Sequence, residues 1–552
     1  MKKIKLSKLA FLTATAALFL SNGLSAQSVN DAYKKPKLVV GIVVDQMRYD
    51  YLPRFWNRYG DGGFKRMVAE GFNCKNNHFN YVPTYTGPGH ASVYTGTTPA
   101  FHGIIANDWY DKTIDESVYC AQDDNVNSVG TNSDAGKMSP NRMITTTVTD
   151  QLRLATQMRG KVIGIAIKDR GAILPAGHSA NAAYWFHGKD EGAFISSTYY
   201  MDELPKWVTR FNKSDAAKQY KKEWNTLYDI ETYTASGTDK NNFEGKFKGE
   251  KDAVFPHKLN KLWKENNEYD IIKATPFGNS LTTDFAIAAI EGEELGKDDE
   301  TDFLAVSFSS TDYVGHQFGV NSVEIEDTYL RLDQDLERLF NKLDQEVGKG
   351  NYSVFLTADH AAVHVPAYLE SVKIPGGYFS TSDFKVKLNE FLQVEYGAKG
   401  LVKNFSNFQI FLNYEKLEEL DLDLAEVEEA IANEVVNYDG VFEVFTAQEM
   451  RKHDFTQPVP YLLQKGYNHK RSGDVMVVLE PGVISYSRTG STHGSNFNYD
   501  THAPLLFFGH GINHGETTER TEIPDIAPTI SALLGIAFPN ATTGNPISEV
   551  ID

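Results

Sequence analysis

The chain has 552 residues, too many for one ordinary hydrophobic core, so a large catalytic domain with insertions or a second domain is expected. Its 41% apolar and 12% aromatic content excludes a disordered chain. A formal charge of −19 excludes nucleic acid as a routine partner, and an anionic substrate would need a strong local positive field, for which a metal ion is the obvious source. In chain order, residues 1–26 read as a secretory signal peptide. Lys2, Lys3, Lys5 and Lys8 precede an apolar run from Leu9 to Leu20, and small and polar residues lead to a cleavage site near Ala26. The run is short for a membrane span. Export to the periplasm or beyond the cell is expected, without stable membrane insertion. No Cys follows the cleavage region, which argues against a lipid anchor.

Five apolar runs then stop at polar residues: KLVVGIVVDQ (37–46), KVIGIAIKDR (161–170), DFLAVSFSSTD (302–312), NYSVFLTADH (351–360) and APLLFFGHG (503–511). Such short, nearly continuous runs are strands buried on both faces. Helical patterns over residues 144–158, 280–295 and 323–347 lie between them. The alternation predicts an α/β fold with a mostly parallel central sheet flanked by helices. Residues 200–270, with Trp207, Trp224 and Trp263, and residues 373–480 break the rhythm. Both are read as insertions into one catalytic domain spanning 36–552. Cys74 and Cys120 allow one disulfide or two free thiols, and are too few for a disulfide scaffold.

Ligands bind open α/β sheets beyond the carboxyl ends of the strands. The first run ends at Asp45, the third at Asp312 with His316 four residues on, the fourth at Asp359-His360, and the segment before the fifth offers His493. A lone Asp at a strand end is usually a turn or cap, and a lone His usually a satisfied loop residue. Their joint placement at one sheet edge raises the set far above either reading. Imidazole with carboxylate suits zinc, and Asp312 and His316 share a face if a helical turn begins there. Six such ligands are too many for one open catalytic zinc but suit two, ~4 Å apart, which clamp the attacking and leaving oxygens of an in-line displacement.

That site gives Thr86 a purpose. It stands in YVPTYTGPGH, followed by a Gly-Pro-Gly turn and a stretch that can start a helix. A Thr there is usually a cap, but a metal can activate its hydroxyl as a nucleophile. Lys168 and Arg170 end the second run, and with period two they face one way, as an oxyanion clamp. Solvated surface charge is the commoner role for such a pair. Asn107 can donate an amide N–H to another oxygen, though a turn role is as common. Three aspartates and a Thr86 alkoxide balance two divalent ions. The charges of Lys168 and Arg170 are left over, and they match a phosphate monoester dianion better than a singly charged diester or sulfate ester.

Together VVDQMRYDYL, YVPTYTGPGH, HGIIANDWY, IAIKDR, STDYVGH, LTADHA and THGSNFNYDTHAPLLFFG resemble the alkaline phosphatase superfamily, and within it the exported, phosphate-insensitive bacterial alkaline phosphatases with a Thr nucleophile. The resemblance runs from about residue 36 to the C-terminus. It implies one zinc on Asp45, Thr86, Asp359 and His360, and a second on Asp312, His316 and His493, with His502 a weaker candidate for the last position. It implies a phospho-threonine at Thr86, and phosphoryl oxygens bound by Asn107, Lys168 and Arg170. A monomer acting on small phosphate monoesters with broad specificity and releasing inorganic phosphate is expected. A phosphodiesterase on the same site is the alternative. A sulfatase is disfavoured, because Thr86 occupies the position of the formylglycine precursor and His90 that of the motif's Arg.

Overall fold

The computed structural model describes residues 34–551. The leader expected over residues 1–26 lies outside the described residues. Ten strands form the central sheet: β1 (Leu38–Val44), β2 (Gly71–His78), β3 (Ser128–Val129), β4 (Val162–Ala166), β5 (Ala182–His187), β6 (Ala193–Ser197), β7 (Asp302–Phe308), β8 (Tyr352–Thr357), β9 (Leu505–Gly509) and β10 (Gly515–Glu522). Their order is β10-β2-β9-β8-β1-β7-β4-β5-β6-β3. The middle five, β8-β1-β7-β4-β5, are parallel. The flanks turn antiparallel at β9 and β6, and β10 returns parallel to β2. Every residue of β1, β7 and β8 is buried, so both faces must be covered by helices. The fold is α/β with a mostly parallel sheet, as the alternating pattern predicts.

The helices that matter for the site are α1 (Thr86–Thr95), α2 (Asp169–Ala176), α3 (Pro276–Gly292), α4 (Ser310–Phe318) and α5 (Val323–Leu343). Their bounds differ from the apolar patterns for identifiable reasons. The helix expected over 144–158 is Val148–Ala155, because Thr147 and Asp150 form a capping box that fixes its start. α3 begins four residues before its pattern, at Pro276, whose missing N–H costs nothing in a first turn. α5 is capped by Ser322, whose Oγ accepts from Ile325 N–H at 3.1 Å.

Residues 402–479 carry a second sheet, with strands Val402–Ser406, Gln409–Leu412, Val475–Leu479 and Val441–Thr446 in that spatial order, all antiparallel. Helices Thr381–Tyr396 and Leu424–Val435 cover it through a separate core containing Phe384, Leu388, Leu412 and Ile431. Residues 200–270 hold mostly short turns and bind to α5, where Trp224 Nε1 donates to Asp327 Oδ2 at 2.7 Å. Cys74 and Cys120 are buried free thiols, so the disulfide alternative falls.

One close approach ties the sheet to the oxyanion-binding segment. A Cβ on Gly164, inside β4, would fall on the carbonyl oxygen of Ala172 in α2. Only glycine lets α2, which begins beside Lys168, lie this close to the strand. Gly164→Ala is expected to destabilise the protein by about 1–3 kcal/mol, read as a lower urea midpoint at unchanged slope. An unchanged midpoint would contradict this contact.

Candidate active site at the carboxyl edge of the sheet

The expected site residues converge at the carboxyl ends of the parallel strands. Asp45 follows β1, and its N–H continues the sheet by donating to Phe308 O at 3.1 Å. Asp359 and His360 follow β8. Asp312 and His316 lie one turn apart on α4, with Nε2 of His316 3.2 Å from Oδ1 of Asp312. Asp312 is therefore helical, four residues past the end of β7. His493 arrives from the loop before β9. Because β9 runs antiparallel to β8, the residues that precede it lie at the edge where β8 ends.

Thr86 is the first residue of α1, so Gly87, Pro88 and Gly89 form a helical turn and not the separate turn expected. Pro88 is tolerated because the first N–H groups of a helix have no intrahelical partner. Gly89 is required, since a Cβ there would strike the Asp359 carbonyl. Lys168 and Arg170 also differ from expectation. β4 ends at Ala166, Lys168 is the N-cap of α2 and Arg170 lies in its first turn, so strand alternation does not orient them. Both nevertheless reach Thr86: Lys168 Nζ is 3.3 Å and Arg170 Nη2 3.5 Å from its Oγ1. Asn107 Oδ1 accepts from Gly87 N–H at 2.7 Å, which fixes its carboxamide against the start of α1.

The three histidines share one orientation. Nδ1 of His316, His493 and His360 donates to the carbonyls of Ser491, Thr84 and Ala361 at 2.7, 2.7 and 3.0 Å. A carbonyl only accepts, so Nδ1 carries a proton in each ring and Nε2 is the atom turned toward the carboxylates. Nε2 of His493 is 3.6 Å from Asp312 Oδ1, and Nε2 of His360 is 3.5 Å from Asp45 Oδ1 and 3.6 Å from Asp359 Oδ2. Thr86 Oγ1 lies 3.4 Å from the same His360 nitrogen. His502 is elsewhere. It bonds the Lys75 carbonyl at 2.9 Å and stacks between Tyr49 and His78.

Among the described residues two donor groups could hold a metal ion, Asp312-His316-His493 and Asp45-Asp312-His360, with Asp312 common to both. The donor chemistry fits. Both oxygens of Asp45 and Oδ2 of Asp359 are buried and accept no hydrogen bond. The Lys168 ammonium lies 2.8 Å from Asp45 Oδ2, off the hydrogen-bonding direction, and bonds Asp312 Oδ2 at 2.6 Å. Burial, reinforced by Asp359, raises the Asp45 carboxyl well above its usual range, and burial pushes Asp359 up to about 6. Burial works against ionised Asp312 too, but His316 and Lys168 hold it well below the usual range. Burial lowers His493 to about 3 and, with His493 beside it, depresses His360 strongly. Burial works against a charged His316 as well, but Asp312 raises it. Two neutral imidazoles, a proton-holding third and crowded carboxylates form a site that a divalent cation would stabilise.

Sequence reasoning missed residues that support the site, Tyr119 and His90 among them. Tyr119 accepts from Arg170 Nη1 at 3.1 Å and donates to Asp169 Oδ1, so it fixes the guanidinium. Nothing in the sequence marks it. His90 bonds the Thr86 carbonyl at 2.9 Å and Ser307 Oγ at 2.9 Å, and lies 3.3 Å from Asp359 Oδ2. Its spacing of four from Thr86 was the available signal.

A family model described as type I phosphodiesterase / nucleotide pyrophosphatase matches residues 39–504. A Myroides odoratus protein named calcium-transporting ATPase is 50% identical over 99% of both chains. Alkaline phosphatase PafA of Elizabethkingia meningoseptica is 47% identical over 97% of this chain and 98% of its own. The crystal structure of PafA matches with a TM-score of 0.91 at 46% identity, covering 94% of this chain and 99% of that one, and a PafA variant substituted at one threonine, one asparagine, one lysine and one arginine matches with a TM-score of 0.90. The chain belongs to the type I phosphodiesterase / nucleotide pyrophosphatase family, within the alkaline phosphatase superfamily.

Proposed function

We propose that the protein is a zinc-dependent alkaline phosphatase that hydrolyses small phosphate monoesters with broad specificity through a phospho-threonine at Thr86, releasing inorganic phosphate. The chain is an enzyme, a phosphoric monoester hydrolase. The observation that carries the mechanism is the Thr86 hydroxyl at the start of a helix, within 3.5 Å of Lys168, Arg170 and His360.

Asp45, Thr86, Asp359 and His360 would hold one zinc, and Asp312, His316 and His493 the other. Bound zinc would supply positive charge that lowers the hydroxyl's pKa and stabilises the leaving oxygen. The chain's own groups do the rest. Asn107, Lys168 and Arg170 hold the non-bridging phosphoryl oxygens. The positive end of the α1 dipole adds a favourable field at the same point. Burial disfavours the Lys168 ammonium, but Asp312 and Asp45 overcome this and keep it charged. Thr86, its hydroxyl proton already released to solvent, forms a bond from Oγ1 to phosphorus as the ester P–O bond breaks, and the leaving alkoxide takes a proton from water. Water then attacks phosphorus, the Thr86 P–O bond breaks, and phosphate departs.

Two features support the monoester over the diester that the family model's name also covers. The Lys168–Arg170 pair matches a dianion, and the Thr, Asn, Lys and Arg substituted together in the PafA variant are the residue types of Thr86, Asn107, Lys168 and Arg170. The reading includes export, action as a monomer, and insertions near 200–270 and 373–480 in a catalytic domain of 36–552. No helix of the described residues is long and apolar enough to cross a membrane.

Thr86→Ala is expected to lower kcat by about 10³-fold or more with zinc content unchanged. Parental turnover in that variant would remove Thr86 as the nucleophile. Exhaustive chelation should abolish activity and added zinc restore it, whereas full activity in metal-free protein would end the dimetal reading. Arg170→Ala should cost about 10²–10³-fold in kcat/KM for an aryl monoester and distinctly less for its diester. Equal losses would mean that the clamp does not set the preference.

A further inference from the structure

We propose that Gln46 is a positioning residue that holds the carboxylates of both metal groups at once, an inference that rests on the two-zinc reading above. Gln46 directly follows Asp45 at the end of β1. It is buried, and its backbone is left-handed, with φ of 65°, a region that side chains other than Asn, Asp and His seldom adopt. The conformation sends its two donors in different directions. Its backbone N–H donates to Asp359 Oδ1 at 3.1 Å, and its side-chain Nε2 donates to Asp312 Oδ1 at 2.6 Å.

The topology gives this arrangement its meaning. β1 lies between β7 and β8. Asp312 is carried on the β7 side and Asp359 on the β8 side. Gln46, at the tip of the strand between them, reaches both. Asp312 Oδ1, the oxygen it bonds, is also the one nearest Nε2 of His316 and of His493. Lys168 bonds the other oxygen of Asp312, so both ends of that carboxylate are fixed. In the two-zinc reading Asp359 belongs to one ion and Asp312 to the other, so the two donors of Gln46 orient one carboxylate of each.

The amide's orientation follows from chemistry. A carboxylate only accepts, so Nε2 faces Asp312 and Oε1 faces away. Oε1 packs on Gly315 of α4, where a Cβ would collide with it. Glycine at 315, between Asp312 and His316 on one helix, is thus the seat of the Gln46 amide. Outer-sphere partners of this kind typically contribute about 10- to 100-fold to metal affinity.

Three variants test the role. Gln46→Met keeps the length and removes the donor. Gln46→Gly keeps the backbone N–H to Asp359, suits the positive φ and deletes only the amide. Gly315→Ala displaces the amide from the opposite side. Zinc-loaded parent and variants are titrated with a chelator and bound zinc is counted per chain, while thermal unfolding of the zinc-free proteins reports the fold. The expected result is zinc released at about 10- to 100-fold lower chelator strength in all three. The unfolding temperature of zinc-free Gln46→Gly should match or exceed the parent's, and excess zinc should restore occupancy. Gln46→Met and Gln46→Gly that fold and retain zinc like the parent overturn the role of Gln46 alone. A parent that binds no zinc overturns the proposed cofactor as well.

Discussion

Three buried aspartates face one another at the edge of the sheet, and the rest of the site depends on neutralising them. Moving a carboxylate out of water costs several kcal/mol unless it is paired. Asp45 has no hydrogen bond to either oxygen, and Asp359 has one unpartnered oxygen. Among the described residues, Lys168 is the lysine or arginine that pairs with both Asp45 and Asp312. One ammonium does not balance three carboxylates, and burial raises both Asp45 and Asp359, with Asp359 adding to the rise at Asp45. Bound cations would remove it and, in the same place, supply the positive field that an acidic protein needs to accept an anionic substrate.

The sheet is what brings these charges together. Five parallel strands with no exposed residue at the centre force their carboxyl ends onto one edge, and the helices that follow β4 and β7 begin there. Backbone carbonyls then set the details, since each of the three histidines is oriented by a peptide oxygen from a different segment. The glycines at 89, 164 and 315 mark places where helix, strand and ligand loop lie too close for a side chain. Small backbone displacements there would move Thr86, Lys168 or Asp312.

Much of this was legible in the sequence because strands buried on both faces announce themselves as apolar runs, and polar residues at their ends stand out. Asp45, Asp312, His316, Asp359, His360 and His493 were found that way. The i, i+4 spacing of Asp312 and His316 carried a geometry that α4 realises. Other features depend on tertiary context. Alternation suggested a strand through Lys168 and Arg170, but the chain turns into α2 after Ala166, and the two side chains meet Thr86 from a helix N-terminus. The Gly-Pro-Gly segment looked like a turn because its composition disfavours helix, yet α1 starts at Thr86 where a close approach to Asp359 demands glycine. Tyr119 and Gln46 act through contacts distant in sequence, and no local pattern identifies them. The second sheet at 402–479 was visible only as a change of rhythm.

The central claim is that the Thr86 hydroxyl becomes covalently phosphorylated during turnover. The most direct measurement is mass spectrometry of peptides from zinc-loaded enzyme quenched in acid during turnover of an aryl phosphate monoester. The account predicts a phosphate on the peptide containing Thr86, localised to that residue, appearing within one turnover and absent in Thr86→Ala. Turnover at the parental rate with no covalent phosphate, or with phosphate on another residue, would contradict it.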